Sequence, residues 1–169
     1  ASAAEAQGKP IQFQSYCNAT EVPPDWSFSA LVAEVAVDVE TGQVHLLGLT
    51  TAHDVGTIIN PMAHQAQIDG GVIQGVGYAL MEEILMENGR VTTLNLGEYK
   101  LPDVMDIPPL KTVLVEEPLG PAPFQAKEIG ESPIAPVAAA IANAVYDAVG
   151  ARITDLPITA EKVFATLKS

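Results

Sequence analysis

In LVAEVAVDVETGQVHLLGLTTA, residues 31–52, apolar side chains recur at every second position. Leu31, Ala33, Val35, Val37 and Val39 share one face, with Glu34 and Asp38 on the other. A period of two matches the pleat of a strand, so the segment predicts a half-buried β-strand. Glu40-Thr41-Gly42-Gln43 follows, with Gly42 available for the left-handed backbone of a short hairpin loop. Val44–Ala52 returns as a second strand, richer in apolar residues and therefore more buried. A sheet is thus the frame on which the rest of the chain must pack.

Downstream, the period changes to that of a helix. Asn60 is a good N-cap, and Pro61 suits the first helical position, where its missing N–H would be unbonded anyway. Ile68, Val72, Val76, Ala79 and Leu80 recur at helical spacing, and the pattern runs out near Glu83. Gly71, Gly75 and Ala79 lie four apart on the stripe that holds Gln67, a row of small residues that lets a second backbone or a bulky ligand come close. Ile84–Met86, Asn88-Gly89 and Arg90–Leu96 predict another hairpin. Tyr99–Pro109 predicts an ordered loop, Leu110–Val115 a strand, and Glu116–Pro123 an irregular segment. A second long helix opens at Ser132-Pro133 or at Pro136 and ends at Gly150. Thr159 caps a last helix over Ala160–Leu167. The expected order is β-β-α-β-β-β-α-α: an α+β fold, a mixed or antiparallel sheet with two long helices packed on it.

Upstream, residues 1–27 read as a linker and irregular lead-in to a domain over 28–169, with Val22-Pro23-Pro24-Asp25 a stiff turn. The chain opens on Ala, and Ala1–Pro10 lacks the basic-then-apolar order of a secretory signal, so the start is expected to be a cut point within something larger. The 169 residues are 48% apolar and 17% charged, enough to build a core and too apolar for a wholly disordered chain. Eight basic against 21 acidic residues leave a charge of −13, which disfavours binding to nucleic acid or to an anionic membrane surface. No uninterrupted run of roughly 18 strongly apolar residues exists to span a bilayer. The lone Cys17 cannot build an internal disulfide, a four-cysteine zinc site or an iron–sulfur cluster. A cytoplasmic location is expected.

Common catalytic motifs fail. Gly75-Val76-Gly77 lies in mid-helix, not in the strand-to-helix turn of a dinucleotide fingerprint, and no phosphate-binding Walker loop exists. His45, His53 and His64 lack the spacing of a metal site. His45 reads as a strand surface residue, and His53 beside Asp54 as a structural hydrogen-bond pair. Two places remain. Thr57-Ile58-Ile59-Asn60-Pro61 leads into a helix whose N-terminal N–H groups can hold an anion, with Gln67 two turns further on; the alternative is an ordinary capped helix. Lys127-Glu128-Ile129-Gly130-Glu131-Ser132-Pro133 sets a carboxylate beside a glycine ahead of a helix. Glu131 is either a dipole-friendly cap or an oriented, partly desolvated general base.

These segments, taken together, resemble the C-terminal region of the molybdenum hydroxylases, the xanthine dehydrogenase, aldehyde oxidoreductase and carbon monoxide dehydrogenase family. The resemblance is carried in order by Asp54-Val55-Gly56, Asn60-Pro61, the run from Gln67 to Glu83, Tyr99-Lys100-Leu101-Pro102, Lys127 to Pro133, and Asp155-Leu156-Pro157-Ile158-Thr159. It implies that Glu131 is the catalytic glutamate, which deprotonates a molybdenum-bound hydroxyl ahead of attack on an electron-poor carbon. Gln67 falls on a glutamine that contacts the pterin. Lys127, Glu128, Ile129 and Gly130 match the loop against the cofactor, and Thr57 to Asn60 a turn near its phosphate or dinucleotide tail. No metal-ligating side chain is implied. The implied cofactor is molybdopterin, with or without a nucleotide, carrying Mo; 2Fe-2S and FAD belong to partner domains or subunits. The implied partners are the remainder of the molybdopterin-binding large subunit, the iron–sulfur and flavin subunits, and a small-molecule aldehyde or N-heteroaromatic substrate. Ser132-Pro133 departs from the paired prolines of some members, and no substrate-clamping arginine is visible. Two rivals stand beside this reading: a non-catalytic assembly domain of the same fold, and a free-standing acidic binding protein.

Overall fold

A computed structural model of the chain describes residue 8, residues 14–16 and residues 26–169. Cys17, the Val22–Asp25 turn and most of the expected lead-in lie outside these residues. Two strands form as their patterns require, β1 (Ser29–Val37) and β2 (Val44–Gly56), paired antiparallel. The turn between them places Gly42 at φ +79, and a Cβ there would stand 2.1 Å from the Ala160 carbonyl oxygen. Only glycine fits.

The register between β1 and β2 slips at Glu34/Val35, a bulge that absorbs Leu47. Before it, Val44 and Leu46 turn toward the core; after it, Leu49, Thr51, His53 and Val55 do so. One extra residue thus switches which alternate set is inward. β2 continues four residues beyond the predicted Ala52. That extension carries Asp54-Val55-Gly56 into the sheet, where β5 (Leu110–Glu116) pairs parallel to it. The order β1-β2-β5 makes a mixed sheet.

Helix α1 spans Pro61–Leu80, with the Asn60 side chain accepting from the Ala63 N–H at 3.1 Å. Helix α2 spans Val137–Val149 and ends at Gly150 in the left-handed conformation; α3 spans Ala160–Lys168. The turn over 132–136 precedes α2, so of the two predicted starts the one at Pro136 is found. α2 lies over β1 and α1 over β5, and the two helices touch each other. Between sheet and helices lie Leu49, Val55, Ile68, Val72, Val76, Val137, Ile141 and Val145, all buried. The small-residue stripe receives the side chains that lead into α2: a Cβ at Gly71 would sit 2.9 Å from Pro133 Cβ, and one at Gly75 would sit 2.6 Å from Val137 Cβ.

The predicted second hairpin shrinks to β3 (Met86–Glu87) and β4 (Arg90–Val91), joined by Asn88 and Gly89 at φ 49 and 78. The turn chemistry is right. Its flanks bury nothing, and an isolated two-stranded ribbon has little to lengthen it. No helix among the described residues is long and apolar enough to cross a membrane.

Candidate functional site

Two distant stretches converge at the C-terminal end of β2. Gly56 and Ala126 form an antiparallel bridge. The Lys127 N–H donates to the Val55 carbonyl and the Thr57 N–H to the Gln125 carbonyl, each at 3.1 Å. Gly56 has φ +62, and a Cβ on it would lie 2.4 Å from the Gln125 oxygen, so this crossing excludes any larger residue. Beyond the bridge, the Ile58 N–H donates to Glu116 Oε1 at 3.0 Å, which ties the chain entering α1 to the end of β5. Thr57 is therefore half-buried and held by its backbone, while Asn60 is exposed and caps α1.

Lys127 points inward. Its Nζ donates to Asp54 Oδ2 at 2.7 Å and to the Trp26 carbonyl at 3.0 Å, and both side chains of the ion pair are largely shielded from solvent. Asp54 in turn is held by its backbone, its N–H donating to the Phe28 carbonyl and its carbonyl accepting from Ser27 Oγ, each at 2.9 Å. Glu128 is exposed, and its Oε1 accepts the Glu131 N–H at 2.7 Å. Ile129 is half-buried against the core. Gly130 and Glu131 are exposed, as is Gln67 on α1. Pro133, two residues beyond Glu131, is seated on Gly71, about one helical turn beyond Gln67.

The eight predicted residues therefore fall on two adjoining structures, the entry to α1 with its first turns and the 127–131 loop. The first turn of α1 contains no acidic residue. Pro61 has no N–H and the Ala63 N–H is taken by Asn60, so the Met62 N–H and the positive end of the helix dipole are what the turn offers an anion. A Cβ on Gly130 would meet only Glu128 Oε1, at 3.4 Å, so the loop backbone is open to close approach. An amide at Gln67, a carboxylate at Glu131, an accessible glycine backbone and an unquenched helix terminus suit a phosphate-bearing, hydrogen-bonding heterocycle. All of them lie on open surface. A cleft of about 680 Å³ exists at the other end of α1, between Val76, Leu80, Ile158 and Glu161, and none of the eight residues lines it.

His53 and Asp54 do not form the expected pair. Adjacent strand residues face opposite sides. His53 faces the core, where Nε2 meets the Thr51 hydroxyl and Nδ1 has no hydrogen-bond partner among the described residues. Burial holds its imidazole below the ordinary value. Asp54 faces away and takes Lys127. Neither the ion pair nor Glu116 was anticipated from the sequence. Strand alternation carried through Val55 would have put Asp54 on the open side and left it wanting a cation.

A family model described as a molybdopterin cofactor-binding domain matches residues 1–108, which takes in β1, β2 and α1 and stops short of the 127–131 loop. The xanthine dehydrogenase molybdenum-binding subunit of Escherichia coli O157:H7 is 35% identical over 160 residues, 94% of this chain and 21% of that subunit. The aldehyde oxidoreductase of Megalodesulfovibrio gigas is 39% identical over 147 residues, 85% of this chain and 16% of that protein. Among solved structures, the aldehyde oxidoreductase from Desulfovibrio gigas superposes with a TM-score of 0.77 at 38% identity, over 85% of this chain and 16% of that one. Quinoline 2-oxidoreductase from Pseudomonas putida 86 gives 0.75 at 32% identity, over 80% and 18%. The chain spans about a fifth or less of the length of these relatives.

Proposed function

Because the chain belongs to the molybdopterin cofactor-binding domains of the xanthine dehydrogenase and aldehyde oxidoreductase family, we propose that it supplies the general base and one wall of the cofactor cradle to an enzyme that hydroxylates an electron-poor carbon with water. The remainder of the large subunit would complete the cradle. Iron–sulfur and flavin subunits would carry the electrons away, and the substrate would be an aldehyde or N-heteroaromatic compound. The observation that carries this reading is the seating of Pro133 on Gly71, which brings the Glu131 loop against the helix that presents Gln67.

The molybdenum cofactor, when bound, supplies the two-electron oxidation. The chain's own residues do the rest. Glu131 accepts the proton released as oxygen is transferred to carbon, in reach of solvent until the rest of the subunit closes over it. Gln67 both donates to and accepts from the pterin through its amide. The Met62 N–H and the dipole at the start of α1, a turn ordered by Asn60 and by the Thr57 backbone, would orient the phosphate or dinucleotide tail. Lys127 to Gly130 contribute through their backbone, since the Lys127 ammonium is turned inward to Asp54.

The test is Glu131→Gln in the assembled enzyme. A base is worth roughly 10²- to 10⁴-fold, so turnover should fall by that factor while molybdenum and pterin content stay unchanged. Turnover at the parental rate would instead leave Glu131 without a catalytic role, as in a non-catalytic assembly domain.

A further inference from the structure

We infer that Asp54 is a positioning residue for the Glu131 loop. The inference rests on the role of Glu131 proposed above. The segment that reaches Glu131 is irregular, and Phe124 and Gln125 adopt φ of 61 and 62, a region that side chains rarely occupy. Something must hold such a backbone, because strained conformations persist only where their surroundings over-determine them. The Gln125 carbonyl is held twice, accepting from Gly120 N–H and Thr57 N–H at 3.1 Å each. The last residue before Glu131 that is hydrogen-bonded to the sheet is Lys127, through its backbone to Val55 and through its ammonium to Asp54, with Ile129 then packed on the core. From there only Glu128, Ile129 and Gly130 intervene, too few residues to absorb a displacement.

Asp54 is suited to the task by its own fixation. It sits within β2, in register with Val115 of β5, and its N–H and carbonyl are tied to Phe28 and Ser27. Its carboxylate thus transfers the rigidity of the sheet to the loop. The Lys127 ammonium also takes the Trp26 carbonyl, so three chain segments meet at one ion pair. At the far end of the short link, Glu128 accepts the Glu131 N–H and sets the direction in which that residue leaves the loop. Asp54 and Glu128 act through other residues and touch no reacting atom.

The experiment compares Asp54→Asn, Asp54→Glu and Glu131→Gln in the assembled enzyme. Readouts are kcat, KM, molybdenum and pterin content, and amide hydrogen exchange over residues 125–131. A misplacement of about 1 Å can cost 10²-fold. Asp54→Asn should therefore lower kcat roughly 10- to 100-fold, leave KM and cofactor content near the parental values, and speed exchange at Lys127 to Glu131. Asp54→Glu, which keeps the charge, should recover part of the rate. Should Asp54→Asn fail to fold, Asp54→Glu decides, since it keeps the charge and displaces the carboxylate by one methylene; it should lower kcat severalfold and speed exchange at Lys127 to Glu131. Parental kcat in Asp54→Asn, or in Asp54→Glu where that variant decides, overturns the positioning role, as does a lowered kcat with unchanged exchange. Parental turnover in Glu131→Gln overturns the base reading itself, so the two failures are told apart.

Discussion

A buried imidazole makes a protein sensitive to pH in one direction only. His53 is 1% exposed and lies between the sheet and the helices with Nδ1 unpartnered among the described residues, and burial holds it in the neutral form. The unfolded chain titrates at the ordinary imidazole value of about 6.5. Below that pH the unfolded state binds a proton that the native state resists, so stability falls as pH falls, by up to about 1.4 kcal/mol per pH unit. Above it the contribution is constant. Urea unfolding of the 169-residue chain between pH 7 and pH 5 should show this slope, and His53→Gln should flatten it; an equal slope in the variant would place the titration elsewhere. Single residues governed by their own backbone were legible in the sequence: Asn60 and Thr159 cap the helices they were expected to cap, and Gly150 ends one. His53 and Asp54 were not, because their partners, Thr51 two residues back on the same face and Lys127 in a distant loop, depend on which face each side chain takes.

Among elements, the contact between α1 and α2 turns on the absence of side chains. At Gly75 an added Cβ would lie 2.6 Å from Val137, whereas at exposed Gly70 it would meet nothing within 4 Å. Gly75→Ala should therefore destabilise the chain by about 1–3 kcal/mol through overpacking. Gly70→Ala should stabilise it by about 0.5–1 kcal/mol through helix propensity alone. Denaturant midpoints of the two variants should move in opposite directions, and a common direction would mean that the helices do not meet at Gly75. The stripe could be read from spacing, though not what fills it. Strand periodicity likewise located β1 and β2 and was blind to the bulge at Leu47, which depends on pairing rather than on either strand alone.

For the molecule as a whole, the surface is the unusual feature. Ile84, Leu94, Val104 and Met105 are 63–86% exposed along the excursion between α1 and β5, and Val32, Val113 and Val115 stand exposed on the sheet. Apolar surface on this scale marks contact sites. The isolated chain should self-associate with rising concentration, bind cofactor weakly and show no turnover. Light scattering during gel filtration checks the first point, and Leu94→Glu with Met105→Glu should shift the chain toward monomer; a monomer at every concentration would contradict it. The helices and the antiparallel hairpin were legible from local pattern. The parallel pairing of β5 with β2 was not, because their neighbourhood is decided by packing across a gap of more than fifty residues that no local period records.

The stretch from Met81 to Pro109 rejoins the sheet where the Pro109 carbonyl takes the Leu49 N–H at 3.0 Å, and of its own residues it buries Pro108 alone. Such a detour is cheap to resize, since doubling a flexible loop costs only about 0.6 kcal/mol. A change of length in that arm should therefore leave the apolar layer between the sheet and α1 intact.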